Sequence, residues 1–330
     1  MNVLSLFDGM SCGQIALNRV GLKIDNYYAS EIDKHAIKVT NHNFPNTIQV
    51  GSVTELKSSD LPKIDLLIGG SPCQGFSKAG KMLNFDDPRS KLFFEFVRLL
   101  KETKPKYFLL ENVVMKQEHR DIISEFLGVK PILIDSTIFS AQRRKRLYWT
   151  NIPLDEIPED KGIQLFDIVD HEFRGEYIQS LSWQRWFETK KDFLVNKSYV
   201  SVNPKKCQTM TARQYANWNG NFLFLNRKVL VREMVKRGYD EVFDGQFVDL
   251  SFINSKTNGL TTTTSHLDYC EFKIDDCSNG FFRRLTPVEC ERLQTVPDNY
   301  TSVVSDRERY KMIGNGWTVD VIAHIFKNIK

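Results

Sequence analysis

The chain of 330 residues has no apolar run approaching the roughly 20 residues that a helix needs to cross a bilayer. Its first residues, Met1 to Gly9, carry no basic leader or cleavage pattern and read as a first strand, so a cytoplasmic protein is expected. Six cysteines (Cys12, Cys73, Cys207, Cys270, Cys277 and Cys290) are scattered without a CxxC pair. That spacing excludes a zinc ribbon and a disulfide framework, so no metal is expected and each thiol is judged by its context. The GxGxxG fingerprint is also missing, which argues against a nicotinamide-dependent dehydrogenase. A net charge of +4, from 45 Lys and Arg against 41 Asp and Glu, is too small to announce nucleic acid.

What is present is a globular composition, 41% hydrophobic and 26% charged, in a chain long enough for one large core or two moderate ones. The first half alternates short β-rich runs with helical patterns, as a parallel sheet with crossover helices requires. Strands are predicted near residues 3–7, 27–30, 48–50, 66–69, 107–110, 131–135 and 147–149, and helices near 12–20, 34–43, 91–102 and 119–127. After Pro158 the alternation stops. Residues 159–280 mix aromatics, Asn, Thr and charge without helical period, which predicts an irregular or β-rich insert. Helical character returns at 286–294, with Pro287 in the first turn, and at 317–328; this tail is expected to rejoin the first domain, because two helices alone have no core. Charge divides the insert: Arg185 to Arg237 holds twelve basic and three acidic residues, whereas Gly238 to Gly280 holds two and eight. Trp186, Tyr199, Tyr215 and Trp218 lie within the basic part. A phosphate-tracking surface and an ordinary solvated face both fit that composition.

Two strand ends carry candidate chemistry. The first strand runs into Phe7-Asp8-Gly9 and then Gly13, where glycines let a ligand approach the backbone. Asp8 would repel a diphosphate but suits a ligand bearing an ammonium and a sulfonium. Glu31 ends the second strand, 22 residues after Gly9, where a carboxylate can accept from both hydroxyls of a ribose. A plain tight turn and a surface glutamate would look the same. The fourth strand leads into Gly69-Gly70-Ser71-Pro72-Cys73-Gln74, which sets a thiol on a loop beyond a strand's carboxyl end. A buried structural cysteine is the bland alternative; no apolar residue lies immediately beside Cys73, whereas Cys290 sits in a helical pattern. Glu111-Asn112-Val113 ends the next strand, and Gln142-Arg143-Arg144-Lys145-Arg146 leads into the last, with Arg143 and Lys145 read as a phosphate patch.

Thiol, acid and guanidinium on successive strand ends suit one reaction. A thiolate adding at position 6 of cytosine makes position 5 nucleophilic toward a sulfonium methyl group. An acid with a raised pKa, Glu111, assists at ring nitrogen 3, and a guanidinium supports charge at the exocyclic oxygen. Loss of the position-5 proton then expels the cysteine; no base for that step can be named, and water can serve.

These segments resemble the cytosine-5 DNA methyltransferase family, most closely the catalytic domain of de novo-type enzymes and related phage and bacterial ones. Pro72-Cys73-Gln74 is similar to its nucleophile motif, Glu111-Asn112-Val113 to its ENV motif and Gln142/Arg144/Arg146 to its QxRxR motif. Arg283 to Cys290 with Gln294 is similar to its ninth motif, and Ile313-Gly314-Asn315-Gly316 to its tenth. The resemblance implies an α/β fold: a Rossmann-like, mostly parallel S-adenosylmethionine-dependent methyltransferase sheet with a smaller inserted target-recognition domain. The implied boundaries are 1–158 and 281–330 for the catalytic part and 159–280 for the insert. It implies methyl transfer from S-adenosylmethionine, released as S-adenosylhomocysteine, to a cytosine flipped out of double-stranded DNA.

The implied catalytic residues are Cys73, Glu111, Asn112 (as a brace for the nucleophile loop), Arg144 and Arg146. The implied cofactor residues are Phe7, Asp8, Gly9, Gly13, Glu31, Ile32, Ser52, Val53, Pro72, Leu92, Asn315 and Trp317. Gln74, Ser77 and Lys78 would close over DNA, and Arg213, Gln214 and Asn217 are candidates for reading base edges. Three positions depart from the family pattern: the glycine turn is rebuilt, Ser52 stands where an Asp commonly binds the adenine amine, and Ile32 replaces a Trp. A prokaryotic or phage modification enzyme is expected, a monomer with a dimer left open, and with a companion restriction endonuclease as an open partner. A tRNA methyltransferase of the same fold and a DNA-binding protein on a dead methyltransferase domain are the rivals; the second should have lost the thiol or the acid, and both are present.

Overall fold

The computed structural model describes residues 1–71, 88–170, 177, 179, 181–214, 220–225 and 281–330. Its centre is a seven-stranded sheet built from β1 (Asn2–Leu6), β2 (Asn26–Ser30), β3 (Ile48–Gln49), β4 (Leu66–Gly69), β5 (Tyr107–Val113), β6 (Ile132–Asp135) and β7 (Lys145–Thr150). The order is β3-β2-β1-β4-β5-β7-β6. All pairings from β3 to β5 are parallel, and β7 runs antiparallel to both β5 and β6. The central strands β1, β4 and β5 read as nearly unbroken apolar runs because both faces are covered. Leu66, Leu67 and Ile68 of β4 are all fully buried, Leu66 and Ile68 facing one layer and Leu67 the other.

One layer contains α1 (Cys12–Arg19) and the C-terminal elements. The other contains α3 (Pro88–Thr103), whose Phe93, Phe96 and Leu99 are completely buried, and α4 (Gln117–Leu127), ended by Gly128 in the left-handed region at φ +70°. The remaining helix of this half is α2 (Lys34–Asn43), capped by the Asp33 side chain, which accepts from the His35 N–H.

The tail rejoins the first half as expected. α6 (Pro287–Leu293) starts with a capping box in which Thr286 and Glu289 bond reciprocally. α8 (Val319–Phe326) buries Val319, Ile322, Ala323 and Phe326 in the same core as Val3, Ile15 and Ala16. Arg19 pairs with Asp320 at 2.5 Å and donates to the Thr295 carbonyl at 2.8 Å.

Two helices contradict the sequence reading. α5 (Leu181–Asn196) lies in the stretch expected to be irregular or β-rich. Its inward side is largely aromatic: the partly buried Trp183 stacks on the buried Phe187 at 5.3 Å, and both reach Phe222 or Phe282 on a second sheet. That sheet is three-stranded, ordered β10-β9-β8, from β8 (Val200–Val202), β9 (Gly220–Leu225) and β10 (Phe281–Arg284). The second unforeseen helix, α7 (Asp306–Asn315), begins with the charged run Asp306-Arg307-Glu308-Arg309, which hides its buried Tyr310, Met312 and Ile313.

Candidate active site

A cavity of about 460 Å³ opens at the carboxyl ends of β1, β2, β4 and β5. It sits where the strand order reverses between β1 and β4, the place at which open α/β sheets take ligands. After Leu6 the chain adopts positive φ at Phe7 (+56°), Gly9 (+59°) and Ser11 (+60°), so the glycine turn is rebuilt as an alternating left-handed path into α1. This path aims the Gly9 N–H at Glu31, to which it donates at 2.8 Å on Oε2. Glu31 Oε1 accepts from the Ile32 and Asp33 N–H groups at 2.7 and 2.8 Å. Three backbone donors thus hold the carboxylate, and Oε2 retains acceptor capacity toward the cavity. Asp8 accepts from the Tyr27 hydroxyl at 2.7 Å and from Ser11 Oγ. Burial pushes its carboxyl up to about 6, against the opposing effect of these hydrogen bonds.

The other end of the cavity is built by β5 and β7. Glu111 and Asn112 lie opposite Tyr148 and Leu147, and Arg146 reaches diagonally to Glu111. Arg146 Nε is 3.0 Å from Glu111 Oε1, and the Trp317 indole N–H donates to Oε2 at 3.0 Å. Both carboxylate oxygens therefore accept, and the group reaches a ligand through its remaining lone pairs. Asn112 is buried and donates through Nδ2 to the Ser71 carbonyl and hydroxyl at 3.3 and 3.2 Å. It thereby fixes the described end of the segment that leads to Cys73.

Burial sorts the basic run. Gln142 and Arg144 are buried and Arg146 is partly buried, while Arg143 and Lys145 are exposed. Arg144, expected among the catalytic residues, is committed elsewhere: its guanidinium donates to the carbonyls of Met210 (3.1 Å), Gly314 (3.2 Å) and Gly316 (2.9 Å). Burial, with Arg146 nearby, lowers its pKa to about 10. It borders the cavity as a staple between the sheet, the insert and the tail.

Phe7, Asp8, Gly9, Glu31, Glu111, Asn112, Arg146, Asn315 and Trp317 all line the cavity, together with Arg144. Five expected cofactor residues do not. Gly13 is a packing glycine: a methyl group there would collide with the Ile68 side chain and come within 2.9 Å of the Tyr27 hydroxyl. Ile32 points outward and is 78% exposed. Ser52 hydrogen-bonds Thr54 at 2.8 Å, Val53 is core, and the partly buried Leu92 packs against that core. In the insert Arg213 is exposed, but Gln214 is only 4% exposed and donates to the Asn221 carbonyl at 3.3 Å. Gln214 is thus a packing residue, not a reader of base edges. Pro72, Cys73, Gln74, Ser77, Lys78 and Asn217 lie outside the described residues.

Sequence reasoning missed Met10, Cys12, Asp33, Lys311 and Met312 of the lining. The Lys311 ammonium pairs with Asp33 at 2.7 Å and closes the rim between α7 and α2. No sequence signal marked this pair, because α7 itself went unrecognised. Cys12 is buried, and burial pushes its thiol up to about 12, so it is a packing thiol rather than a nucleophile.

The C-5 cytosine-specific DNA methylase family profile matches residues 1–330. The type II methyltransferase M.FnuDI of Fusobacterium nucleatum is 29% identical over 100% of this chain and 94% of its own length. The orphan methyltransferase M.SPRI of Bacillus phage SPR is 26% identical over 100% and 97%. Among solved structures, the Entamoeba histolytica methyltransferase EhMeth aligns with a TM-score of 0.70 at 17% identity, covering 100% of this chain and 99% of that one. The S. pombe Dnmt2 methyltransferase aligns with a TM-score of 0.69 at 18% identity, covering 99% and 97%. At such identities these two structures speak for the fold.

Proposed function

Because this chain belongs to the C-5 cytosine-specific DNA methylase family, and is therefore an S-adenosylmethionine-dependent DNA cytosine methyltransferase, we propose that the cavity between β1 and β5 is where its methyl donor and its target base meet. One observation carries the reading: a backbone-held carboxylate, Glu31, and a guanidinium-held carboxylate, Glu111, open into the same cavity from opposite ends.

The residues present fit the donor. Phe7 and Trp317 offer aromatic walls, Glu31 Oε2 a ribose acceptor, and Asp8, when ionised, a counter-charge for a cationic tail. When bound, S-adenosylmethionine supplies an electrophilic methyl group on sulfur. The chain's own residues do the rest. Cys73 adds to position 6 of the flipped cytosine, Glu111 serves ring nitrogen 3, and Arg146 both holds Glu111 and supports charge at the exocyclic oxygen. Asn112 braces the nucleophile loop through Ser71. Arg144 positions the surrounding segments and takes no part at the base. Loss of the position-5 proton, to water, then releases the thiolate.

The substrate we assign is double-stranded DNA, with 1–158 and 281–330 as the catalytic part and 159–280 as the target-recognition part. Arg213 is exposed on the segment stapled by Arg144 and contributes to the basic face. We further assign a monomer acting in the cytoplasm of a prokaryotic or phage-infected cell, as a modification enzyme with or without a companion endonuclease. Among the described residues no helix is long and apolar enough to cross a membrane.

The test is covalent trapping. With methyl donor present, the wild-type chain should form a denaturant-stable complex with duplex DNA carrying 5-fluorocytosine at its own site. Cys73→Ser should bind the same duplex without trapping or methyl transfer. Methyl transfer at the wild-type rate by Cys73→Ser, or labelling of tRNA in place of DNA, would refute the assignment.

A further inference from the structure

We propose that Trp317 is a positioning residue for Glu111: its indole N–H fixes the plane of the carboxylate and ties that plane to the wall of the methyl-donor cavity. The inference deepens the function proposed above and rests on it.

The Trp317 indole N–H donates to Glu111 Oε2 at 3.0 Å while Arg146 Nε holds Oε1 at 3.0 Å. A carboxylate has about four lone-pair positions. One donor on each oxygen therefore sets the plane and leaves one position free on each, one to accept from the exocyclic amine of the pyrimidine and one to carry the proton for ring nitrogen 3. A single donor on one oxygen would leave the group free to rotate about its terminal bond, which has a broad and shallow torsional preference.

The Trp317 backbone is itself over-determined. On one side the Gly316 carbonyl accepts from Arg144 at 2.9 Å and from Gln294 at 3.1 Å. On the other, the Thr318 hydroxyl donates to Gln294 Oε1 at 2.8 Å and lies 2.8 Å from the Ser136 hydroxyl. Such support gives a side chain little freedom to drift from its partner.

Gly70 supplies the third observation. A methyl group on Gly70 would lie 3.0 Å from Trp317 Nε1 and 3.1 Å from Glu111 Oε2. Absence of a side chain there leaves room for the indole and the carboxylate to meet. Trp317 also lines the cavity shared with Phe7 and Glu31, so one ring touches both halves of the reaction. A residue serving only as a wall would need no N–H aimed at the acid.

Trp317→Phe keeps a ring and removes the donor. Methyl transfer to duplex DNA should lose about tenfold in kcat, with KM for S-adenosylmethionine within about twofold of wild type and a displaced kcat–pH profile. The same substitution made on Glu111→Gln should cost little more, because the partner is already altered. Gly70→Ala, which enters the contact from the other side, should give the same kcat-selective loss. An unchanged kcat and pH profile in Trp317→Phe, or a loss confined to KM, would overturn the proposal. A second readout does not depend on turnover. The indole ¹⁵N–H signal that disappears in Trp317→Phe should shift in Glu111→Gln at constant pH. A stationary signal would defeat the positioning role even in an active enzyme, whereas absence of methyl transfer by wild type with a moving signal would count against the proposed function alone.

Discussion

Asp8 shows how a single buried carboxyl links stability to pH. Its ordinary value is 3.8, and burial raises it to about 6 in the folded chain. The folded protein therefore holds this proton more tightly than the unfolded chain. The resulting stabilisation is complete below about 3.8 and is lost as pH rises through about 6, an effect of about 3 kcal/mol. Urea unfolding of wild type and Asp8→Asn between pH 4 and 7 should show the wild type losing stability relative to the variant across that window, with a constant difference above it. Arg144 makes a different case. Arg144→Ala would remove the guanidinium donor from the carbonyls of Met210 and Gly314 and leave Gly316 with Gln294 alone, and should cost about 3 kcal/mol in thermal unfolding. Lysine should not restore it, since one ammonium cannot reproduce the planar fork. Glu31, Glu111 and Asn112 could be picked out from residues alone because they stand at the ends of apolar runs. Roles that depend on a distant backbone could not: Arg144 and Arg146 look alike in sequence, and only their partners separate staple from acid-holder.

At the scale of elements, legibility followed the strength of the apolar pattern. The central strands β1, β4 and β5 are buried on both faces and announce themselves; α5 and α7 do not. The inward side of α5 is aromatic and sparse, with Trp183, Phe187 and Leu194 separated by charged residues. α7 opens with four consecutive charges, of which Arg309 turns inward to Glu291 at 3.2 Å. A buried ion pair of this kind reads as surface in any hydropathy pattern. The junction of β10 and α6 rests on another, Arg283 with Glu289, both fully buried. Glu289 also accepts from the Thr286 N–H and the Asp170 N–H, each at 2.8 Å. Glu289→Gln should therefore destabilise the chain by about 3–5 kcal/mol, measured by denaturant unfolding, because it strands a buried guanidinium. Gly314 marks a second close joint, where a methyl group would meet the backbone of Thr211 and Ala212. Gly314→Ala should weaken affinity for duplex DNA more than affinity for the methyl donor in paired titrations, since it displaces the segment that carries Arg213.

For the whole molecule, the return of the tail was legible from a negative argument: two amphipathic helices have nothing of their own to bury against. The route of that return was not, since it depends on contacts between residues some 300 positions apart, such as Arg19 with Asp320. Donor binding should stabilise the entire assembly rather than one lobe. At a concentration of S-adenosylhomocysteine a hundredfold above its Kd, unfolding free energy should rise by about 2.7 kcal/mol. Hydrogen exchange should slow in parallel at residues 7–9 and 311–317.

The donor cavity takes its walls from Phe7 to Ala36 and again from Glu308 to Trp317. A polypeptide still emerging from the ribosome thus has only one side of that chamber until residues 308–317 are out. Donor binding by a nascent chain is accordingly expected only once residues 308–317 have left the ribosome.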